Sequence, residues 1–218
     1  MAGISRSSLD GPVPGMNIAL IGASGRAGSA IRAELQRRDH TVTAIARHAC
    51  SASFEPGVTA HDADIFDSGA IADAVRGHDA AISAAWFWPD SSQPLVEGLR
   101  RSGVKRVLFV GGASSLLDED GRMLIDTLDM PEEWMPTIRE GVRLLEVLRG
   151  ADDLDWTFVS PPLEIEAGPR RGIYRTDPDR LVVDERGRSA ISFDDFAIAM
   201  VDALENGQAV RARFGVGY

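Results

Sequence analysis

The sequence predicts an α/β fold built on a doubly wound parallel sheet, and three observations carry that prediction. A short apolar run, Asn17 to Ile21, breaks at Gly22 and is followed by Gly25, Gly28 and a helical pattern. Beyond it, short β-branched runs alternate with helical stretches, the pattern of βαβ crossovers. The chain has 218 residues, 44% of them hydrophobic, enough for one core, and no composition shift marks a second large domain.

The elements follow in order. Residues 1–15 (MAGISRSSLDGPVPG) carry Gly, Ser and Pro and read as a flexible extension; residues 16–218 read as a single domain. Asn17 to Ile21 has the length of a buried parallel strand, and Ala30 to Arg38 reads as a helix with Ile31 and Leu35 on one face. Thr41 to Ala46 is a β-branched second strand and Val58 to His61 a short third. Ile71 to Val75 is helical, Ala80 to Ala85 a fourth strand, Gln93 to Arg101 a helix, and Lys105 to Val110 contains a fifth strand that ends at Gly111-Gly112. Thr137 to Arg149 is a long helix with Val142, Leu145 and Leu148 at threefold spacing, and Trp156 to Val159 a sixth strand stopped by Ser160-Pro161-Pro162. Residues 162–190 read as a small region on the substrate side, with short strands near Tyr174 and over Leu181 to Val183. Ser192 caps a helix that starts at Phe193, with Asp195 three residues on, and Ala209 to Phe214 is expected to return to the sheet.

Composition narrows the partners. A formal charge of −10 argues against non-specific nucleic-acid binding. No apolar run reaches the ~18 residues of a membrane span, and residues 1–15 have no apolar core for a signal peptide. The expected location is therefore cytoplasmic. The single cysteine, Cys50, fits that compartment, excludes an intrachain disulfide and reads as an inert thiol. His40, His48, His61 and His78 show no metal-ligand spacing. No oligomer interface is legible.

Strand, glycine turn and helix start together make a phosphate-binding device. A helix N-terminus offers unpaired N–H groups and partial positive charge, and glycines let a pyrophosphate approach the backbone. Gly22, Ser24, Gly25, Arg26, Ala27 and Gly28 form this loop, spaced G-x-x-G-x-x-G rather than G-x-G-x-x-G. Ligands of such sheets sit at the carboxyl ends of the strands, an edge that also carries Arg47, Asp64, Ser83, Ala84, Ala85, Gly111, Gly112 and Pro161. Arg47 stands at the end of the second strand, about 20 residues past the glycine motif, where an acid would hold a ribose 2′-hydroxyl. A guanidinium there grips a 2′-phosphate instead, and Arg26 is placed to help, so the expected cofactor is NADP(H).

These stretches carry a resemblance. Gly22-Ala-Ser-Gly-Arg-Ala-Gly28 is similar to the glycine motif of the atypical short-chain dehydrogenase/reductases, in the NmrA-like NAD(P)H-binding group. Asp64-Ile65-Phe66-Asp67, Gly77 to Ser83, Val107 to Ser115, Leu154 to Pro161 and Ile191 to Ala197 resemble successive segments of the same group, covering roughly residues 16 to 205. The resemblance implies a Rossmann-type fold, an adenine ring beside Asp64 and Ile65, and a preference for NADP where arginine replaces the acid.

The catalytic signal is mostly an absence. Standard members of this superfamily pair a tyrosine with a lysine four residues on, which lowers the phenol pKa. Here the lysine is Lys105 and the tyrosines are Tyr174 and Tyr218; Pro178 follows Tyr174 at that spacing, so no such pair exists. The expected tyrosine segment reads Glu132-Glu-Trp-Met-Pro-Thr-Ile138. Ser114 or Ser115 keeps the serine position, and Tyr174 is a candidate proton source. Ala85-Trp-Phe-Trp-Pro89 places Trp86 and Trp88 beside the nicotinamide end, with Trp134 as an opposite wall. Two functions stay open. One is an NADPH-dependent oxidoreductase acting on a small conjugated carbonyl, quinone or flavin. The other is a non-redox NADP-binding protein, either a redox-sensing regulator or a cofactor-bound isomerase or cyclase.

Overall fold

The computed structural model describes residues 15–218, so the expected extension, all but Gly15, lies outside the described residues. Among the described residues, ten strands form an eight-stranded sheet and a two-stranded one. The first half of the large sheet holds β1 (Asn17–Ile21), β2 (Thr41–Ala46), β3 (Val58–Asp62) and β4 (Ala80–Ser83). The second holds β5 (Arg106–Val110), β6 (Asp155–Ser160), β8 (Arg175–Asp177) and β10 (Ala212–Gly217). β7 (Glu164–Glu166) pairs with β9 (Ala190–Ser192). The large sheet runs β3-β2-β1-β4-β5-β6-β10-β8, all parallel except the β10–β8 pair. This is a Rossmann-type order, and its direction of winding reverses between β1 and β4.

Alternation within the strands sorts the core. Ile18 and Leu20 of β1 face a layer made by α1 (Arg26–Arg37) and α6 (Phe193–Glu205), where Ile31, Leu35, Phe196 and Met200 are buried. Ala19 and Ile21 face the other layer, formed by α2 (Ser68–Val75), α3 (Ser92–Ser102) and α5 (Met135–Arg149). A one-turn α4 (Leu124–Thr127) lies in the connection before α5. Buried on both faces, the central strands need no polar side, which is why they read as continuous apolar runs.

Several expected bounds shift by a residue or two, α5 for one starting at Met135 rather than Thr137, and four larger differences have a visible cause. The first helix starts at Arg26, not Ala30, because the glycine turn itself opens it. β4 stops at Ser83, which frees Ala84 and Ala85 to form the strand-end loop. Leu181 to Val183 is not a strand; Ser189 Oγ instead donates to the Val182 carbonyl at 2.8 Å. The last strand begins at Ala212 because Ala209 and Arg211 have φ of 50° and 55°, in the left-handed region no strand accepts. The cap on α6 is as expected, with Ser192 Oγ accepting from Asp195 N at 3.1 Å. Among the described residues no helix is long and apolar enough to cross a membrane.

Candidate functional site

The winding reversal leaves a cleft at the carboxyl ends of β1 and β4, and there the structure has a cavity of about 780 Å³. Its middle is the glycine turn. Gly22 has φ +77°, and a Cβ on it would sit 2.6 Å from the backbone of Ala84, so only glycine lets β1 end this close to β4. A Cβ on Gly28 would lie 2.2 Å from the Gly22 carbonyl oxygen, so this glycine lets α1 press against the turn.

Gly25 differs from both. Its φ is −72°, and an added Cβ would meet only the Gly22 oxygen, at 3.4 Å. Neither conformation nor internal packing requires a glycine there, yet its bare backbone faces the cavity. No side chain caps α1 and no acid lies in its first turn, so the N–H groups of Arg26 and Ala27 keep their anion-binding capacity. The loop therefore fits a pyrophosphate.

Around the turn the cavity has two ends. On the β2–β3 side it is lined by Arg47, Asp64 and Ile65. Arg47 is exposed and has neither ion pair nor hydrogen bond among the described residues. Asp64 accepts from the amide of Phe66 at 3.1 Å, which fixes its loop. Arg26 lies 5.5 Å over the ring of Phe193, which also lines the cavity. On the β4–β5–β6 side the lining is Ala84, Ala85, Val110, Gly111 and Pro161, then the aromatic run Trp86 to Trp88. Trp86 and Trp88 are 62% and 47% exposed, so they rim the mouth and are not part of the core.

The remaining expected residues lie off the lining. Gly28 and Ser83 are buried behind it, and Gly112 stands one residue beyond it. Ser114 and Ser115 lie on a single 3₁₀ turn, Ala113–Ser115. Its path takes Ser115 inward, where its hydroxyl has no hydrogen-bond partner and its carbonyl accepts from Arg213. Trp134 is 55% exposed on the turn before α5, outside the cavity. Tyr174 is not on the cavity lining; its hydroxyl donates to Asp202 of α6 at 2.6 Å. The substrate-side region reaches the cavity through Ile165.

The sequence reading took in Phe87 with the two tryptophans around it as one aromatic run, but missed Phe193, Ile165 and Thr137. Thr137 begins the helix pattern and had no chemical signal of its own; among the described residues it supplies the only side-chain hydroxyl on the lining other than that of Ser24 in the glycine turn.

Known proteins match this arrangement. The profile of an NAD(P)H-binding family matches residues 22–207. The "Uncharacterized protein YwnB" of Bacillus subtilis is 35% identical over 211 residues, 92% of this chain and 98% of that one. A Burkholderia pseudomallei structure named "putative exported protein" is 40% identical and superposes with a TM-score of 0.82, covering 93% of this chain and 100% of its own. A Streptococcus pneumoniae structure, SP1627, named "a putative NADH-flavin reductase", is 35% identical with a TM-score of 0.80, covering 93% and 99%.

Proposed function

The chain belongs to the NAD(P)H-binding family, and on that premise we propose that it is an NADPH-dependent oxidoreductase of the atypical short-chain dehydrogenase/reductase type, for a small, planar, conjugated acceptor. One observation carries the reading: a single cavity joins the uncapped start of α1 to an aromatic mouth. The first-turn N–H groups of Arg26 and Ala27 hold the pyrophosphate. Arg47, with Arg26, binds the 2′-phosphate as a charge-assisted pair, and Asp64 and Ile65 flank the adenine. Ala84, Ala85, Gly111 and Pro161 border the nicotinamide, whose C4 hydride is the reducing equivalent the cofactor supplies when bound.

The chain's own part at the acceptor is positioning and charge stabilisation. Trp86, Phe87 and Trp88 stack on a planar acceptor, and the Thr137 hydroxyl donates to its oxygen or nitrogen. The lining on this side has no carboxylic acid, lysine, histidine or tyrosine. Quinones, flavins and conjugated carbonyls suit such a site because their product charge is delocalised. The name of SP1627 points to the same class of acceptor. The missing acid also favours a second reading, an NADP-binding regulator or isomerase that transfers no hydride. The reading places the protein in the cytoplasm, in keeping with its one thiol. The Burkholderia relative's name points elsewhere, and fractionation of cells separates the two.

Oxidation of NADPH at about 340 nm, where the reduced nicotinamide absorbs, tests the proposal against a panel of quinones, flavins and enones. Turnover with at least one class is expected. Tight NADPH binding without turnover of any would favour the second reading.

A further inference from the structure

Resting on the reading of the aromatic end as the acceptor end, we propose that Gly141 sets the depth of the acceptor site by seating Phe87, and so admits acceptors of more than one ring. Gly141 is buried in the interior of α5, a place where glycine weakens a helix, and its φ is not in the left-handed region. Its reason is a neighbour. A Cβ there would meet Phe87 Cδ2 at 3.1 Å and Cε2 at 3.2 Å. On the ring's other contact, a Cβ on Gly112 would stand 3.6 Å from Cε2. That is ordinary contact distance, so Gly141 is the glycine that leaves room for the ring, which also lines the cavity.

The loop that carries Phe87 is tied to the same helix. Glu140 Oε1 accepts from the Ser92 amide at 2.9 Å, with Glu140 buried, and Arg143 donates to Asp90 at 2.7 Å. These ties hold the end of the loop to α5, so a methyl group at position 141 pushes the Phe87 ring a few tenths of an ångström away from the helix, toward the space it borders.

The test uses the full chain loaded with NADP⁺, with quenching of tryptophan fluorescence by lumiflavin, a three-ring probe, and by duroquinone, a one-ring probe. Gly141→Ala is expected to weaken lumiflavin about tenfold and duroquinone less than about twofold. In the Phe87→Leu background, where the smaller side chain clears position 141, the same Gly141→Ala change is expected to alter lumiflavin binding less than about twofold. Equal weakening of both probes, a loss as large in the Phe87→Leu background as with Phe87 present, or no binding of either probe to the wild type would overturn the proposal. NADPH titration of each protein keeps the outcomes apart: loss of NADPH binding in the wild type would contradict the cofactor reading itself, whereas retention with unaltered probe selectivity in Gly141→Ala would contradict only the role of Gly141.

Discussion

Among the described residues Arg47 has no hydrogen-bond or ion-pair partner, so the charge it places on the cavity is available to a ligand. Charge-assisted hydrogen bonds contribute about 1.5–3 kcal/mol, so Arg47→Glu is expected to weaken NADPH about 10- to 100-fold and leave NADH little changed. Fluorescence titration of both nucleotides checks this; an equal loss for NADH would move the role of Arg47 away from the 2′-phosphate. The position of Arg47 was legible because a strand end is a sharp signal and its ligand chemistry is carried by one side chain. Ser114, Ser115, Trp134 and Tyr174 were chosen by residue type and neighbourhood, and type does not say where a turn aims a side chain. A 3₁₀ turn sends Ser115 into the interior, and Asp202 engages Tyr174. Thr137 was invisible for the complementary reason, since a threonine in a helix start is common and only the packing of α5 brings it to the cavity.

The glycine turn separates folding from binding within one element. Gly28→Ala forces a methyl group against the Gly22 carbonyl and is expected to cost about 1–3 kcal/mol of stability. Gly25→Ala meets only one contact, at 3.4 Å, and is expected to fold within about 0.5 kcal/mol of the wild type while losing about tenfold or more in NADPH affinity. Denaturant melts and titrations of the two variants give the pair of numbers; a Gly25→Ala protein that binds normally would remove the anion from the start of α1. Sequence spacing marked all three glycines alike, because spacing does not reveal what each missing Cβ would touch. The boundaries of β4 and β10 were similarly hidden. Small residues continue the pattern past Ser83, and nothing in Ala209 or Arg211 announces a positive φ.

At the scale of the molecule, an ion-pair network on the far side of α1 joins the distant parts of the chain. Glu34, 2% exposed, accepts from Arg38 at 2.9 Å and from Arg170 at 3.1 Å, and also pairs with Arg37. Arg38 continues to Asp202 at 2.7 Å and Glu205 at 2.6 Å, so α1, α6 and the substrate-side region share one cluster. Burial alone raises the Glu34 carboxyl pKa, but hydrogen bonds from Arg170 and Arg38 outweigh it and hold the group below the usual glutamate value. A carboxylate so lowered adds stability above its unfolded value, and that stability is lost as pH falls through the folded value. Acid unfolding is therefore expected to steepen below about pH 4.5, the ordinary glutamate value. Glu34→Gln leaves Arg38 with Asp202 and Glu205 and leaves Arg37 and Arg170 partly in solvent, so it is expected to cost about 1–2 kcal/mol near neutrality and to flatten that limb. Chemical melts across pH check both. The doubly wound parallel sheet was legible from the alternation of strands and helices, whereas this cluster was not, because its bonded partners lie up to 167 residues apart along the chain. The central claim is that the cavity at the β1–β4 reversal holds NADP(H) with its nicotinamide toward the aromatic mouth. A crystal structure with NADP⁺ tests it most directly. The account predicts the pyrophosphate on the amides of Arg26 and Ala27, the 2′-phosphate paired with Arg47, and the nicotinamide between Ala85 and Pro161 with Phe87 facing it. A 2′-phosphate left in solvent, or a nicotinamide turned away from Phe87 and Trp88, would contradict it.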